Sequence, residues 1–136
     1  MKIFIDTSAI IAFYNADDRW HAEAARVMAS IAEGTIPLTR FYISDYVFDE
    51  AMTFMECVIG DHALATAVGE ALLSSPFTAM MSVDEEAFEK AWERFKEGRG
   101  LSFTDCSSFV LMDAYGISHA FTFNGHFKEA GFQTLP

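Results

Sequence analysis

The amino-acid sequence predicts an α/β domain: a central, mostly parallel sheet with helices packed on it. Three observations carry the prediction. Short runs rich in β-branched and aromatic residues recur at Lys2–Ile5, Pro37–Ile43, Phe77–Val83 and Ser118–Phe123. Longer stretches with helical spacing of apolar residues separate them, opening on capping residues and closing on glycines. Strands that alternate with helices pair in parallel, because each crossover helix returns the chain to the same end of the sheet. With 136 residues, 51% of them hydrophobic, and no repeat or linker, the chain reads as one domain spanning 1–136.

The elements follow in order. Lys2–Ile5 is a buried strand, and Thr7 and Ser8 are capping types for a helix through Ile10, Ile11, Phe13 and Tyr14. Asn15–Asp18 breaks that helix. A second runs from about Arg19 to Glu33, with Gly34 as its C-cap. After the second strand, Ser44 caps a helix ending at Gly60, and Asp61 caps the next, through Leu64, Val68 and Leu72. Asp84 caps an acidic–basic helix to about Glu97, and Gly98-Arg99-Gly100 is a loop. Ser102 opens a helix to about Tyr115, which Gly116 closes, and Gln133–Leu135 is a short fifth strand.

Composition narrows the function. No apolar run reaches the roughly 20 residues a membrane helix needs, and Asp6 interrupts any signal-peptide core, so the expectation is a cytoplasmic protein with no membrane span. A net charge of −11 argues against broad non-specific binding of nucleic acid and fits a protein that holds cations or a basic partner. Cys57 and Cys106 make no disulfide framework and read as small core residues. The histidines His21, His62, His119 and His126 lack paired zinc spacing and read as surface or satisfied side chains.

Three carboxylates stand where the local pattern faces inward. Asp6 ends the run Ile3-Phe4-Ile5. Glu50 shares a helical stripe with Tyr46, Val47, Phe54 and Cys57, and Asp105 lies one and two turns from Phe109 and Met112. A buried carboxylate protonates, pairs or binds a metal, and few cations are near in sequence. Simpler roles exist: Ser102-Phe103-Thr104-Asp105 matches a capping box, Asp6 also suits a helix cap, and Glu50 suits a partly exposed edge. Asp45 and Asp49 fall off the stripe and read as solvated. Topology favours a common site, because strand ends and following helix starts share one edge of a parallel sheet. Asp6, Glu50, Asp105 and Asn124 all map to that edge. Clustered carboxylates suit Mg²⁺ or Mn²⁺, and such an ion suits phosphodiester hydrolysis.

Four segments resemble the motifs of PIN-domain nucleases. Ile3-Phe4-Ile5-Asp6-Thr7-Ser8 is similar to the family's opening strand, Ile43 to Glu50 to its second motif, Leu101 to Cys106 to its third, and Thr122 to Phe127 to its fourth. The resemblance covers the whole chain. It implies a three-layer α/β/α sandwich and an endoribonuclease that uses Mg²⁺ or Mn²⁺ and leaves a 5′-phosphate and a 3′-hydroxyl. It further implies a toxin of the VapC type, a homodimer inhibited by a small antitoxin protein. Asp6, Glu50 and Asp105 would be the metal ligands and, with Asn124, the catalytic residues. Apart from the resemblance, Thr7 and Ser8 either cap the first helix or bond the acids or a phosphate, and Arg99 is a candidate to position the RNA. Asn124 departs from the family's aspartate, which implies one well-held ion on Asp6 and Asp105, with Glu50 binding directly or through water. Asn124 also keeps open a non-catalytic PIN-like RNA- or protein-binding domain. A phosphatase with Asp6 as nucleophile is disfavoured by Ser8, where that chemistry usually places a second aspartate.

The basic group Lys90, Arg94, Lys96 and Arg99 alternates with glutamates, as in a solvated helix with pairs such as Glu86 with Lys90; alternatively, Arg94 or Arg99 guides RNA phosphates to the site. Helices around Trp20–Ile31 and Tyr46–Phe54 are candidates to leave an apolar groove for an antitoxin helix or a second subunit.

Overall fold

The computed structural model describes all residues, Met1–Pro136. Five strands, β1 (Lys2–Ile5), β2 (Arg40–Ser44), β3 (Thr78–Met81), β4 (His119–Phe121) and β5 (Gln133–Leu135), form one parallel sheet in the order β3-β2-β1-β4-β5. Seven helices cover it: α1 (Thr7–Tyr14), α2 (His21–Ala32), α3 (Asp45–Thr53), α4 (His62–Ser74), α5 (Glu85–Phe95), α6 (Phe103–Ala114) and α7 (His126–Glu129). This is the predicted three-layer α/β/α arrangement. The central strand β1 is flanked by β2 on one side and β4 on the other, so the chain leaves β1 in one direction and later returns to its opposite edge. Such a reversal opens a crevice at the carboxyl ends of the strands.

Burial on both faces explains why β1 reads as a continuous apolar run. Ile3 and Phe4 are fully buried, and Phe4, Phe109 and Phe127 form an aromatic cluster between the sheet, α6 and α7.

The departures from sequence-based expectation have local causes. β2 begins at Arg40, not Pro37: proline has no N–H for the ladder, and Thr39 ties back to the Met1 carbonyl at 2.7 Å. α2 starts at His21, because Asn15 and Asp18 hold the N–H groups of Asp17 and Trp20 in side-chain turns at 3.1 and 2.8 Å. β4 stops at Phe121: the Thr122 N–H still reaches the Leu135 carbonyl at 3.0 Å, but the next two N–H groups turn to hydroxyls, Phe123 to Ser8 Oγ at 2.9 Å and Asn124 to Thr122 Oγ1 at 3.0 Å.

α3 runs into a π-helical turn, Phe54–Ile59, which Gly60 ends with φ +75°. The buried stripe of this helix is Val47, Ala51 and Met55, four residues apart. Two expectations are corrected here. Cys57 is exposed rather than core, whereas Cys106 is buried as expected. Glu50 lies beside the buried stripe rather than on it, and is half-buried. Asp45 is also more than a solvated acid: its Oδ1 accepts from the N–H groups of Tyr46 at 2.9 Å and Val83 at 3.0 Å, tying α3 to the segment after β3.

Candidate active site

Asp6 follows β1, and its N–H still pairs with the Phe121 carbonyl of β4 at 3.0 Å. Its side chain is only 4% exposed. One carboxylate oxygen, Oδ2, accepts from Ser8 Oγ at 2.7 Å, Thr122 Oγ1 at 3.0 Å and the Ser8 N–H at 3.3 Å. Asp6 itself caps α1, so Thr7 and Ser8 are not the cap; the cap bond is the longest of the three. Oδ1 is left without a protein donor. Burial raises the pKa of Asp6 to about 6, Asp105 pushes in the same direction, and the hydroxyls of Ser8 and Thr122 pull against both.

Asp105 stands in the first turn of α6. The Ser102 hydroxyl accepts from the Asp105 N–H at 3.0 Å, which is half of a capping box. The reciprocal half does not form, because the Asp105 carboxylate turns to the segment after β4. Asn124 Nδ2 donates to Oδ1 at 3.2 Å, and His126 Nδ1 lies 3.2 Å from Oδ2. Asn124 is fixed in turn, its Oδ1 accepting from the His126 N–H at 3.0 Å.

Asp6, Glu50, Asp105 and Asn124 line a single cavity of about 350 Å³, together with Thr7, Ser8, Asp18 and an apolar wall of Ile11, Trp20, Phe54 and Phe123. Trp20 and Phe123 stack with centroids 5.5 Å apart and planes 9° from parallel. The Thr7 hydroxyl is buried and has no hydrogen-bond partner. Arg99 is elsewhere. It lines a neighbouring cavity behind His126, and pairs with Glu97 at 3.1 Å.

No three acids, histidines or cysteines converge as a ready-made metal cage. Asp6 and Asp105 are the buried pair, and Glu50 lines the same cavity from its half-buried place on α3. The donor set still fits a hydrated hard cation. Mg²⁺ is commonly held by one or two carboxylates and keeps several waters, and Asp6 Oδ1 is an unused oxygen on a carboxylate whose buried charge lacks a cation.

A PIN domain model matches residues 3–133. The chain belongs to the PIN-domain family. It is 34% identical over 132 residues to the 23S rRNA-specific endonuclease VapC20 of Mycobacterium tuberculosis, in strains CDC 1551 / Oshkosh and ATCC 25618 / H37Rv, covering 96% of this chain and 95% of that protein. The crystal structure of M. tuberculosis VapC20, described as a sarcin-ricin loop cleaving toxin, superposes with a TM-score of 0.84 at 33% identity, over 96% of this chain and 95% of that one.

In this PIN domain, sequence reasoning missed three side chains at the acids. Thr122 lies inside the fourth motif, and its apolar strand context concealed a hydroxyl aimed at Asp6. His126 was set aside for lack of metal spacing, yet it contacts Asp105. Trp20 reads as part of a helix face and instead forms the cavity wall.

Proposed function

We propose that the chain is an endoribonuclease of the VapC toxin type, hydrolysing RNA phosphodiester bonds with Mg²⁺ or Mn²⁺ at the cavity shared by Asp6, Glu50 and Asp105. The observation that carries the reading is the pair of buried carboxylates, Asp6 and Asp105, which line one cavity and are both held by side chains of the segment after β4, Thr122 on Asp6 and Asn124 and His126 on Asp105. Asp6, Asp105 and Glu50 would hold the ion. When bound, it supplies an acidified water and neutralises charge on the phosphoryl oxygens.

The chain's own residues divide the remaining work. Ser8 and Thr122 fix Asp6 through Oδ2 and leave Oδ1 for the ion. Asn124 and His126 hold Asp105 in one orientation, as partners of metal-bound carboxylates commonly do. Thr7 has a free hydroxyl for a phosphate oxygen. Trp20 and Phe54 offer aromatic surface for unstacked bases, the usual mode of recognising single-stranded RNA. That surface suits a chain whose charge of −11 repels phosphates at long range.

A cognate antitoxin, a second copy of the chain and a cytoplasmic location belong to the same proposal. Exposed apolar surface supports the partners. A groove of about 450 Å³ between α3, its π turn and α4 is lined by Phe48, Met52 and Leu73, and Phe88, Trp92 and Phe95 stand out on α5. Of the two helices the sequence pattern named, α3 lines the groove, together with α4, and α2 does not. No helix is long and apolar enough to cross a membrane.

The test is cleavage of 23S rRNA and of short single-stranded RNA by the purified chain in Mn²⁺, with end analysis of the products. The expected result is cleavage to 5′-phosphate and 3′-hydroxyl ends that stops on chelation. RNA left intact in Mn²⁺ would leave a non-catalytic binding domain instead.

A further inference from the structure

Four carboxylates, Asp6, Asp18, Glu50 and Asp105, line the catalytic cavity, and no lysine or arginine lines it with them. An RNA strand brings a negative charge to that place with every phosphate. A bound divalent ion serves the scissile phosphate; the phosphates beside it are left to the protein's own cations.

The chain has nine lysines and arginines. Arg26, Lys90, Arg94, Lys96 and Arg99 are held in ion pairs with carboxylates, and Lys2 donates to the Tyr115 carbonyl. Arg40 stands beside Lys2 at the amino end of the sheet, the end away from Asp6. Lys128 is on α7, which puts no residue into the cavity wall. Arg19 remains, and it pairs with neither Asp17 nor Asp18, which precede it.

Arg19 stands at the rim of the cavity. Both of its chain neighbours, Asp18 and Trp20, are wall residues, and its guanidinium carbon lies 4.5 Å from the Trp20 ring centroid. The segment around it is tied down. Asn15 Oδ1 accepts from the Asp17 N–H at 3.1 Å, Asp18 Oδ1 accepts from the Trp20 N–H at 2.8 Å, and His21 Nδ1 donates to the Ala12 carbonyl at 2.8 Å. A guanidinium laid over a ring face keeps its N–H donors on its edge. That edge carries no ion pair here, and its fork matches two oxygens of one phosphate.

We infer that Arg19 is a substrate-positioning residue that grips a phosphate beside the scissile one and anchors the RNA backbone at the cavity rim. The word scissile rests on the ribonuclease reading; the phosphate contact rests on Arg19 and its surroundings.

Binding and cleavage test the two apart. Labelled single-stranded RNA is titrated with the full chain in Ca²⁺ at several salt concentrations, with the RNA checked intact on a gel. The set is wild type, Arg19→Gln, Arg19→Lys and Arg40→Gln, and KM and kcat are measured for the same set in Mn²⁺. Arg19 is exposed, so its variants should keep the wild-type melting temperature. Arg19→Gln should weaken binding about fivefold, the scale of one exposed ion pair. It should also flatten the plot of log Kd against log salt by about 0.7, the share of one phosphate on a single strand. Arg19→Lys keeps the charge and should restore the slope. Arg40→Gln removes the same charge at the far end of the sheet and should leave the slope as in wild type. In Mn²⁺, Arg19→Gln should raise KM by the same factor and spare kcat. No RNA binding by wild type, a slope unchanged in Arg19→Gln, or one flattened equally in Arg40→Gln overturns the clamp whatever the cleavage result. A slope that falls in Arg19→Gln alone, with no RNA cleaved by wild type in Mn²⁺, sustains the phosphate contact and overturns the nuclease reading.

Discussion

Asn124 Nδ2 donates to Asp105 Oδ1 across 3.2 Å, joining the loop after β4 to the first turn of α6. An aspartate at 124 would set two carboxylates at that distance, a stable arrangement only with a shared proton or a cation between them. The amide turns a repulsion into a hydrogen bond, so the metal-free site is held together without an ion.

This relationship predicts opposite effects of Asn124→Asp on stability and metal affinity. Without metal, the variant should lose about 1–3 kcal/mol, the cost of a hydrogen-bonded buried group losing its partner. With Mg²⁺ or Mn²⁺ it should bind the ion more tightly than wild type. Thermal melts with chelator and calorimetric titrations check the two halves; unchanged metal affinity would remove Asn124 from the site's charge balance.

Asp6 gives the metal-free protein a pH dependence whose sign is fixed. Burial raises its pKa from 3.8 to about 6, so the folded state disfavours the charged form. Its contribution to stability should be greatest below about pH 4, fall as pH rises towards 6, and level off above it. A shift of that size corresponds to at most about 3 kcal/mol. Asp6→Asn should flatten this contribution, and Mg²⁺ should restore stability above pH 6. Denaturant melts across pH 4–8 measure it; a slope unchanged by Asp6→Asn would assign the effect to other groups.

Thr122→Val keeps the shape of the side chain and removes the hydroxyl that donates to Asp6 at 3.0 Å. The carboxylate then loses one of the donors that favour its ionised form. The acid limb of the pH–rate profile should move to higher pH, with a stability loss of about 1–3 kcal/mol at neutral pH. A profile that does not move would reduce Thr122 to a packing role.

Trp20 is 37% exposed and stacks on Phe123 at the cavity wall. Loss of a base–aromatic stack costs about 1–3 kcal/mol, so Trp20→Ala should raise KM for RNA about five- to a hundredfold and leave Mn²⁺ binding unaltered. Equal KM values would exclude Trp20 from substrate contact.

Much of this fold could be read from the chain because local and global signals agree in it. The apolar run of β1 is buried on both faces, and Ser44, Asp61, Asp84 and Ser102 all cap the helices they precede. The site was legible as three acids on one sheet edge, since strand ends and helix starts must meet there. Its wiring was not. Thr122 reaches Asp6 across 116 residues of chain, and His126 reaches Asp105 across 21; neither separation leaves a periodic trace. The π turn after Thr53 also escaped notice, because a helix that widens by one residue keeps the same apolar composition while turning Cys57 outward.

Asp6 and Asp105 are proposed to form one metal-dependent hydrolytic site. The most direct test counts Mn²⁺ bound per chain by electron paramagnetic resonance and measures RNA cleavage in the same samples, for wild type, Asp6→Asn, Asp105→Asn and, as a control on exposed α3 surface, Asp49→Asn. About one ion is expected in wild type and in Asp49→Asn, both active. Binding and cleavage should fall together in the other two, by more than the 10–100-fold typical of outer-sphere changes. Cleavage that persists in Asp6→Asn, or an ion retained by both site variants, would contradict the proposed site.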